Sequence, residues 1–418
     1  MNKLVIEGGV PLSGEITVQG AKNAVLPILA ASILADGECV IHNCPWLRDV
    51  EKTGVILEKL GCEFSHKGTT IKIDSRNIAD CVIDEKLMRE MRSSIIFLGA
   101  ILSVCKKAQV GLPGGCPIGL RPIDLHLKAL RQMGAVIVEE HGYLKCECDK
   151  LKAADIHLDF PSVGATENIM LAAVKADGVT TITNAAREPE IIDLANFLNS
   201  MGAKVKGAGS GVVIIEGVKK LFPSEYTIMP DRIVAQTYLI AAMITGGEIY
   251  IKDAIASHIN SGIAILSEMG AIIETPDDGI ILKSSGEIRN IHIVKTMPFP
   301  GFPTDIQSPF MALATVANGT SVFVENIFEN RFRHVDELVR MGADIKVEGR
   351  SAVIRGVNKL YGANVEAYEL RGGAALVMAA LAANGTTEIS GIEFIDRGYE
   401  NIEGNLSKCG AKIKRINI

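Results

Sequence analysis

The chain has 418 residues, 48% of them hydrophobic and 22% charged, and a formal net charge of −6. That length allows two domains with sizeable cores, and the acidic balance argues against a general nucleic-acid binder. Nine scattered cysteines, odd in number and without a C-x-x-C pair, suggest reduced thiols in a cytosol rather than a disulfide framework.

In chain order, Leu4-Val5-Ile6-Glu7 reads as a strand and not as a signal peptide. The apolar stretch from Ala24 to Ala35 is about 12 residues, too short to span a bilayer. It reads as a helix without a polar face, which belongs between layers. Counterparts recur at Leu171-Ala172-Ala173-Val174, Leu239-Ile240-Ala241-Ala242, Met311-Ala312-Leu313-Ala314 and Leu376-Val377-Met378-Ala379-Ala380. Each stops at a turn signal: Asp36-Gly37, Asp177-Gly178, Gly246-Gly247, Asn318-Gly319 or Asn384-Gly385. The second unit has Lys106-Lys107-Ala108 there and lacks the glycine.

A second helix in each unit is amphipathic, as in Val55-Ile56-Leu57-Glu58-Lys59-Leu60, and should sit outside. It closes on a repeated phrase: Leu60-Gly61-Cys62, Met133-Gly134-Ala135, Met201-Gly202-Ala203, Met269-Gly270-Ala271, Met341-Gly342-Ala343 and Cys409-Gly410-Ala411. The six glycines lie 73, 68, 68, 72 and 68 residues apart, a spacing that fits a small α/β unit used six times. Unit six runs out at Ile413-Lys414-Arg415-Ile416, before the strand that ends units three and five, and residues 4–9 resemble the missing piece. The expected fold class is α/β, with two domains of three units each and a cleft between them. Residues 21–229 would form one domain, and residues 1–20 with 230–418 the other. The rival arrangement is an open array of six independent units.

Two positions in each unit are polar where a repeat needs only a connection. One is the start of the buried helix: Lys22-Asn23, Arg92, Ser162-Val163-Gly164, Asp231-Arg232, Thr304-Asp305 and Glu369-Leu370-Arg371. Helix N-termini suit anions because their N–H groups and dipole point outward. The other is the loop before the outer helix, with Arg48-Asp49, Arg121, Arg187-Glu188, Arg331 and Arg397, and His258 in unit four. Guanidinium forks match phosphate and carboxylate. Each arginine alone could instead pair with Asp49, Asp124, Glu188 or Glu190; as a set they point to an anionic ligand.

Unit two departs furthest from the repeat, in Leu112-Pro113-Gly114-Gly115-Cys116-Pro117-Ile118-Gly119-Leu120-Arg121-Pro122-Ile123-Asp124-Leu125-His126. Paired glycines before a cysteine permit close backbone approach to a ligand, and nearby positive charge favours thiolate. The other cysteines read as packing, and His126 as a capping or packing residue. No phosphate-binding P-loop, dinucleotide loop or metal-spaced histidine motif is present.

Seven segments in order resemble the UDP-N-acetylglucosamine 1-carboxyvinyltransferases, of the enolpyruvyl transferase family. They are Gly20-Ala21-Lys22-Asn23-Ala24, Leu112-Pro113-Gly114-Gly115-Cys116, the run Gly119 to His126, Ser162-Val163-Gly164-Ala165-Thr166, Arg187-Glu188-Pro189-Glu190, Phe302-Pro303-Thr304-Asp305 and Asp396-Arg397-Gly398-Tyr399. The resemblance implies two inside-out α/β domains closing around substrate. It implies transfer of the enolpyruvyl group of phosphoenolpyruvate to the 3′-hydroxyl of UDP-N-acetylglucosamine, with phosphate released, in cytoplasmic peptidoglycan synthesis. It implies no cofactor or metal and no nucleic-acid or membrane partner.

By resemblance, Lys22, Arg121 and Arg397 form the phosphoenolpyruvate site, with Arg331 and Arg371 nearby. Asn23, Arg92, Arg121, Pro122, Ile123, Asp124, Leu125, Ser162, Val163, Gly164, Asp305 and Ile327 hold the nucleotide sugar. Asp305 is the implied base for the hydroxyl and Cys116 the implied general acid, open to alkylation by fosfomycin. An aspartate is expected at 369, where this chain has Glu369, one methylene longer. A 5-enolpyruvylshikimate-3-phosphate synthase and a non-catalytic ligand sensor are the competing readings.

Overall fold

The computed structural model describes residues 2–112, 118, 119 and 123–417, without the side chain of Arg92. Cys116, Arg121 and Pro122, all expected in the site, lie outside the described residues. The chain divides into two compact units. One holds Met1–Gln19, Pro117–Leu120 and Pro230–Ile418, the other Gly20–Cys116 and Arg121–Met229.

Six four-stranded sheets repeat one pattern, a parallel pair followed by two antiparallel pairs. Three of them take a strand from far along the chain. Ser13–Thr17 runs parallel to Glu248–Lys252, and Glu225–Thr227 runs parallel to Glu38–His42. The N-terminal strand Asn2–Glu7 lies between Thr386–Ser390 and Lys412–Asn417, antiparallel to both, with Ile6 opposite Thr387 and Ile413. Leu4 and Ile6 face inward and are completely buried, as period-2 alternation requires.

The apolar helices form the middle of each unit. Arg232–Ile244, Thr304–Ala314 and Leu370–Ala382 pack on one another in all three pairings. In the other unit Phe97–Cys105 packs on both Lys22–Ala31 and Val163–Ala173. Each unit has its own hydrophobic cluster, and helices that are apolar all round can be satisfied only in such an interior.

The repeated glycine phrase is a helix-ending device. In all six copies the glycine has positive φ, between 94° and 112°. The residue after it donates its N–H back to the carbonyl of a leucine five positions earlier: Leu57, Leu130, Leu198, Leu266, Leu338 or Leu406. This is a Schellman closure, which satisfies helix-end carbonyls and needs a residue without Cβ strain. At the end of the buried helix in unit two, Lys106 takes the left-handed conformation itself, at φ 62°. A non-glycine residue accepts that turn at a cost of about 1 kcal/mol.

Candidate active site

In the 20–229 unit, Lys22 opens the buried helix Lys22–Ala31, and its Nζ lies 2.8 Å from Oδ2 of Asp49, both groups buried. The sequence offered Asp49 as a partner for an arginine; the structure gives it to Lys22. Asn23 follows, half-buried. Ser162 caps the helix Val163–Ala173, its hydroxyl accepting from the Ala165 N–H at 3.3 Å, and Val163 and Gly164 form the half-buried first turn. Thr166 donates to the Ser162 carbonyl at 2.8 Å and accepts from the Ala186 N–H at 3.1 Å, tying this turn to the loop that leads to Glu188. Ile123 and Leu125 are half-buried and Asp124 exposed at the start of helix Asp124–Gln132. His126, buried behind them, meets Asn168 through Nδ1 at 2.9 Å, which is a packing role.

The other unit brings four charged residues together. Arg331, 2% exposed, donates from Nη2 to the Thr304 carbonyl and to Asp305 Oδ1, both at 3.1 Å. Its Nη1 lies 3.8 Å from Oε2 of Glu369. Arg371 approaches Asp305 Oδ2 at 3.6 Å and the Tyr399 hydroxyl at 3.4 Å. Burial opposes the charge of Arg371, but Asp305, Tyr399 and Asp231 outweigh it and hold the guanidinium above its ordinary pKa. Asp305 is the half-exposed member, with 30% of its side chain accessible. Glu369 caps the helix Leu370–Ala382, accepting from the N–H groups of Arg371 at 2.8 Å and of Gly372.

Sequence reasoning missed the residue that holds this cluster. Glu325, 1% exposed, accepts from Thr296 Oγ1 at 3.0 Å, Thr304 Oγ1 at 2.9 Å, and the N–H groups of Ile327 at 2.7 Å and Phe328 at 3.0 Å. One carboxylate thereby joins the first turn that carries Asp305 to the loop that carries Ile327 and Arg331. The available signal was an acidic residue directly after the apolar strand Thr320–Val324. Pro27 and Pro309 occupy the sixth position of their helices, where they cannot donate to the carbonyls of Asn23 and Asp305. In both helices the missing bond falls on a residue the sequence had singled out.

The repeated arginines have different surroundings. Arg331 is buried in ion pairs and Arg397 is half-buried in the turn Ile395–Arg397, while Arg48 and Arg187 are exposed. The Arg187 guanidinium lies against the hairpin glycine Gly211. At the matching place in unit four, burial and Arg232 push the His258 pKa down. Among the described residues, no group of three or more His, Cys, Asp or Glu side chains could hold a metal ion. The eight described cysteines are free thiols, and burial pushes Cys44, Cys62, Cys105 and Cys146 up to about 12.

The family model described as EPSP synthase (3-phosphoshikimate 1-carboxyvinyltransferase) matches residues 6–406. A protein of Caldanaerobacter subterraneus subsp. tengcongensis named UDP-N-acetylglucosamine 1-carboxyvinyltransferase 2 is 54% identical over 416 residues, covering 100% of both chains. The chain belongs to the UDP-N-acetylglucosamine 1-carboxyvinyltransferase family. A second member, from Desulfatibacillum aliphaticivorans, is 50% identical over 416 residues, again covering 100% of both. The fold is that of the enolpyruvyl transferase NikO from Streptomyces tendae, with a TM-score of 0.89 at 22% identity over 100% of this chain and 99% of that one. An EPSP synthase from Acinetobacter baumannii gives 0.77 at 20% identity, covering 100% of both. In this chain, the Asp305, Arg331, Arg371 and Glu369 cluster sets a reachable carboxylate and a buried one beside two buried cations.

Proposed function

We propose that the chain transfers the enolpyruvyl group of phosphoenolpyruvate to the 3′-hydroxyl of UDP-N-acetylglucosamine and releases phosphate, the first committed step of peptidoglycan synthesis. Full-length relatives at about half identity carry that activity in their names. The site observation that carries the reading is the Asp305–Arg331–Arg371 cluster. It sets the Asp305 carboxylate between two buried guanidinium groups, and its 30% exposure leaves that carboxylate within reach of a hydroxyl.

Asp305 takes the proton of the 3′-hydroxyl as its oxygen bonds to C2 of phosphoenolpyruvate, while C3 receives a proton from the Cys116 thiol. The product of addition is a tetrahedral ketal. Loss of a proton from C3 and cleavage of the C2–O bond to phosphate then give the enolpyruvyl ether and inorganic phosphate. The two substrates bring roughly four to five negative charges, which call for preorganised cations. Lys22, Arg121 and Arg397 serve phosphoenolpyruvate, with Arg331 and Arg371 behind Asp305. Asn23, Arg92, Arg121, Pro122, Ile123, Asp124, Leu125, Ser162, Val163, Gly164, Asp305 and Ile327 serve the nucleotide sugar. Arg121 favours the Cys116 thiolate, whereas proton donation needs the thiol; the incoming anionic substrates offset the arginine.

Fosfomycin alkylates Cys116 in this reading, because burial pushes Cys44, Cys62, Cys105 and Cys146 up to about 12 and keeps those thiols protonated at neutral pH. The cysteine pattern supports a reducing cytoplasm, and no helix among the described residues is long and apolar enough to cross a membrane. A phosphate-release assay tests the function. Release from phosphoenolpyruvate only with UDP-N-acetylglucosamine supports it. Release only with shikimate 3-phosphate transfers the chain to the sister activity, and no release with either acceptor leaves a ligand sensor. Unchanged intact mass after incubation with fosfomycin and UDP-N-acetylglucosamine would remove Cys116 as the alkylated thiol.

A further inference from the structure

The turn that carries Arg397 is fixed from residues remote in sequence. Gln19, half-buried, is the last residue of the N-terminal arm before the chain passes into the other unit. Its side-chain Nε2 donates to the Gly398 carbonyl at 3.2 Å, and its Oε1 accepts from the Glu400 N–H at 2.8 Å. Its own carbonyl accepts from the Asp231 N–H at 2.8 Å, so Gln19 is itself held. One amide thus bridges the backbone on both sides of Tyr399. The orientation of that amide is decided by its partners, because the flipped form would set NH₂ against N–H and oxygen against oxygen.

Tyr399, 1% exposed, reaches Thr237 at 2.9 Å through its hydroxyl and accepts from Arg371 at 3.4 Å. On the other flank Arg415 binds both oxygens of Asp396, at 2.8 and 2.7 Å, and both oxygens of Glu403, at 2.6 and 3.2 Å. The backbone around Arg397 is therefore pinned at 396, 398, 399 and 400. Arg415 and Tyr399 also serve helix packing and the Arg371 network. The two side-chain bonds of Gln19 go only to this turn.

We infer that Gln19 is a positioning residue of the reaction: its amide sets the backbone of residues 398–400 and through it the Arg397 guanidinium that binds phosphoenolpyruvate. This rests on the reading of Arg397 given above. Both a donor and an acceptor are needed at that reach, and of the side chains only glutamine supplies them, since asparagine is one methylene shorter.

The test is steady-state kinetics of Gln19→Met, which keeps length and volume but loses both hydrogen bonds, and of Gln19→Glu. The glutamate keeps the acceptor for Glu400 but turns an oxygen against the Gly398 carbonyl. Each variant should raise KM for phosphoenolpyruvate roughly tenfold while KM for UDP-N-acetylglucosamine stays within about twofold. In an Arg397→Ala background, Gln19→Met should add less than about a twofold change, because residues acting as one unit are not additive. An unchanged KM for phosphoenolpyruvate, an equal rise in both KM values, or an undiminished effect in the Arg397→Ala background would overturn the inference. Arg397→Ala alone separates the two claims: if it leaves KM for phosphoenolpyruvate unchanged, the reading of Arg397 fails, whatever Gln19 does.

Discussion

Arg331 holds Asp305 from one side: its Nη2 donates to Oδ1 at 3.1 Å and reaches the Thr304 carbonyl just before it at the same distance. The aspartate is thus oriented by a buried cation anchored in its own helix turn, and Glu325 fastens that turn through Thr304. A side chain so placed has little freedom to lose when substrate arrives, which is the condition for efficient proton transfer. Asp305→Asn keeps an acceptor for Arg331 and removes the proposed base. We expect kcat to fall by roughly 10²- to 10⁴-fold. KM for phosphoenolpyruvate should not rise, because two guanidinium groups lose a competing anion. Activity above half of wild type would show that another group takes the proton.

Glu369 uses its extra methylene to do two jobs. With its backbone extended at φ −159° and ψ 164°, the side chain wraps back to accept from Arg371 and Gly372, and the same carboxylate faces Arg331 at 3.8 Å. Glu369→Ala removes the cap and one neighbour of a buried guanidinium, with an expected loss of about 2 kcal/mol or more. Glu369→Asp retains a good capping residue and shortens the reach to Arg331, so its loss should be about 1 kcal/mol or less. Urea denaturation of the two variants measures both; an alanine variant within about 0.5 kcal/mol of wild type would contradict the double role.

What could be read beforehand was whatever is encoded locally. The six glycines, the helices without polar faces and the charged helix starts are properties of short segments, and the Schellman closures onto Leu57 and its five counterparts follow from them. The parallel partner of a strand is different. Nothing in Ser13–Thr17 names Glu248–Lys252, because β pairing is specified by the assembled sheet and not by the strand. The same limit hid Glu325, whose partners Thr296 and Thr304 lie 29 and 21 residues away. It also hid Gln19, whose partner Glu400 lies 381 residues away. Lys22 was legible as a cation at a helix start, but its pairing with Asp49 needed the outer helix Arg48–Lys59 to be placed beside it.

His334 makes stability depend on pH. The ring is 3% exposed, and neither nitrogen makes a well-formed hydrogen bond among the described groups, only a weak approach to the Arg331 backbone. Burial pushes its pKa from 6.5 down to about 4, helped by Arg331 and opposed by Glu369. Between those values the unfolded chain binds a proton that the folded protein refuses. The stability is therefore intact above pH 6.5 and declines as pH falls toward 4, by up to about 3 kcal/mol from this residue. His334→Phe should flatten the slope of unfolding free energy against pH in that window by roughly one proton. An identical slope in the variant would show that His334 takes up its proton equally in the folded and unfolded states.

Glu167 acts with the opposite sign. It is 2% exposed, and burial first, then the carboxylates of Glu190 and Glu188, raise its pKa well above the ordinary range. A raised folded pKa means that the protonated form suits the interior. Its contribution is fully present below the unfolded value, about 4.3, and is lost as pH rises through the folded one. Glu167→Gln fixes the neutral form at every pH with nearly the same shape. The variant should melt higher than wild type at pH 8, and the difference should shrink toward pH 4.5, where wild type is itself protonated. Calorimetry at the two values decides it. A variant that melts lower at pH 8 would mean that the ionised carboxylate has a compensating partner in the fold and that the three acidic groups are not in conflict.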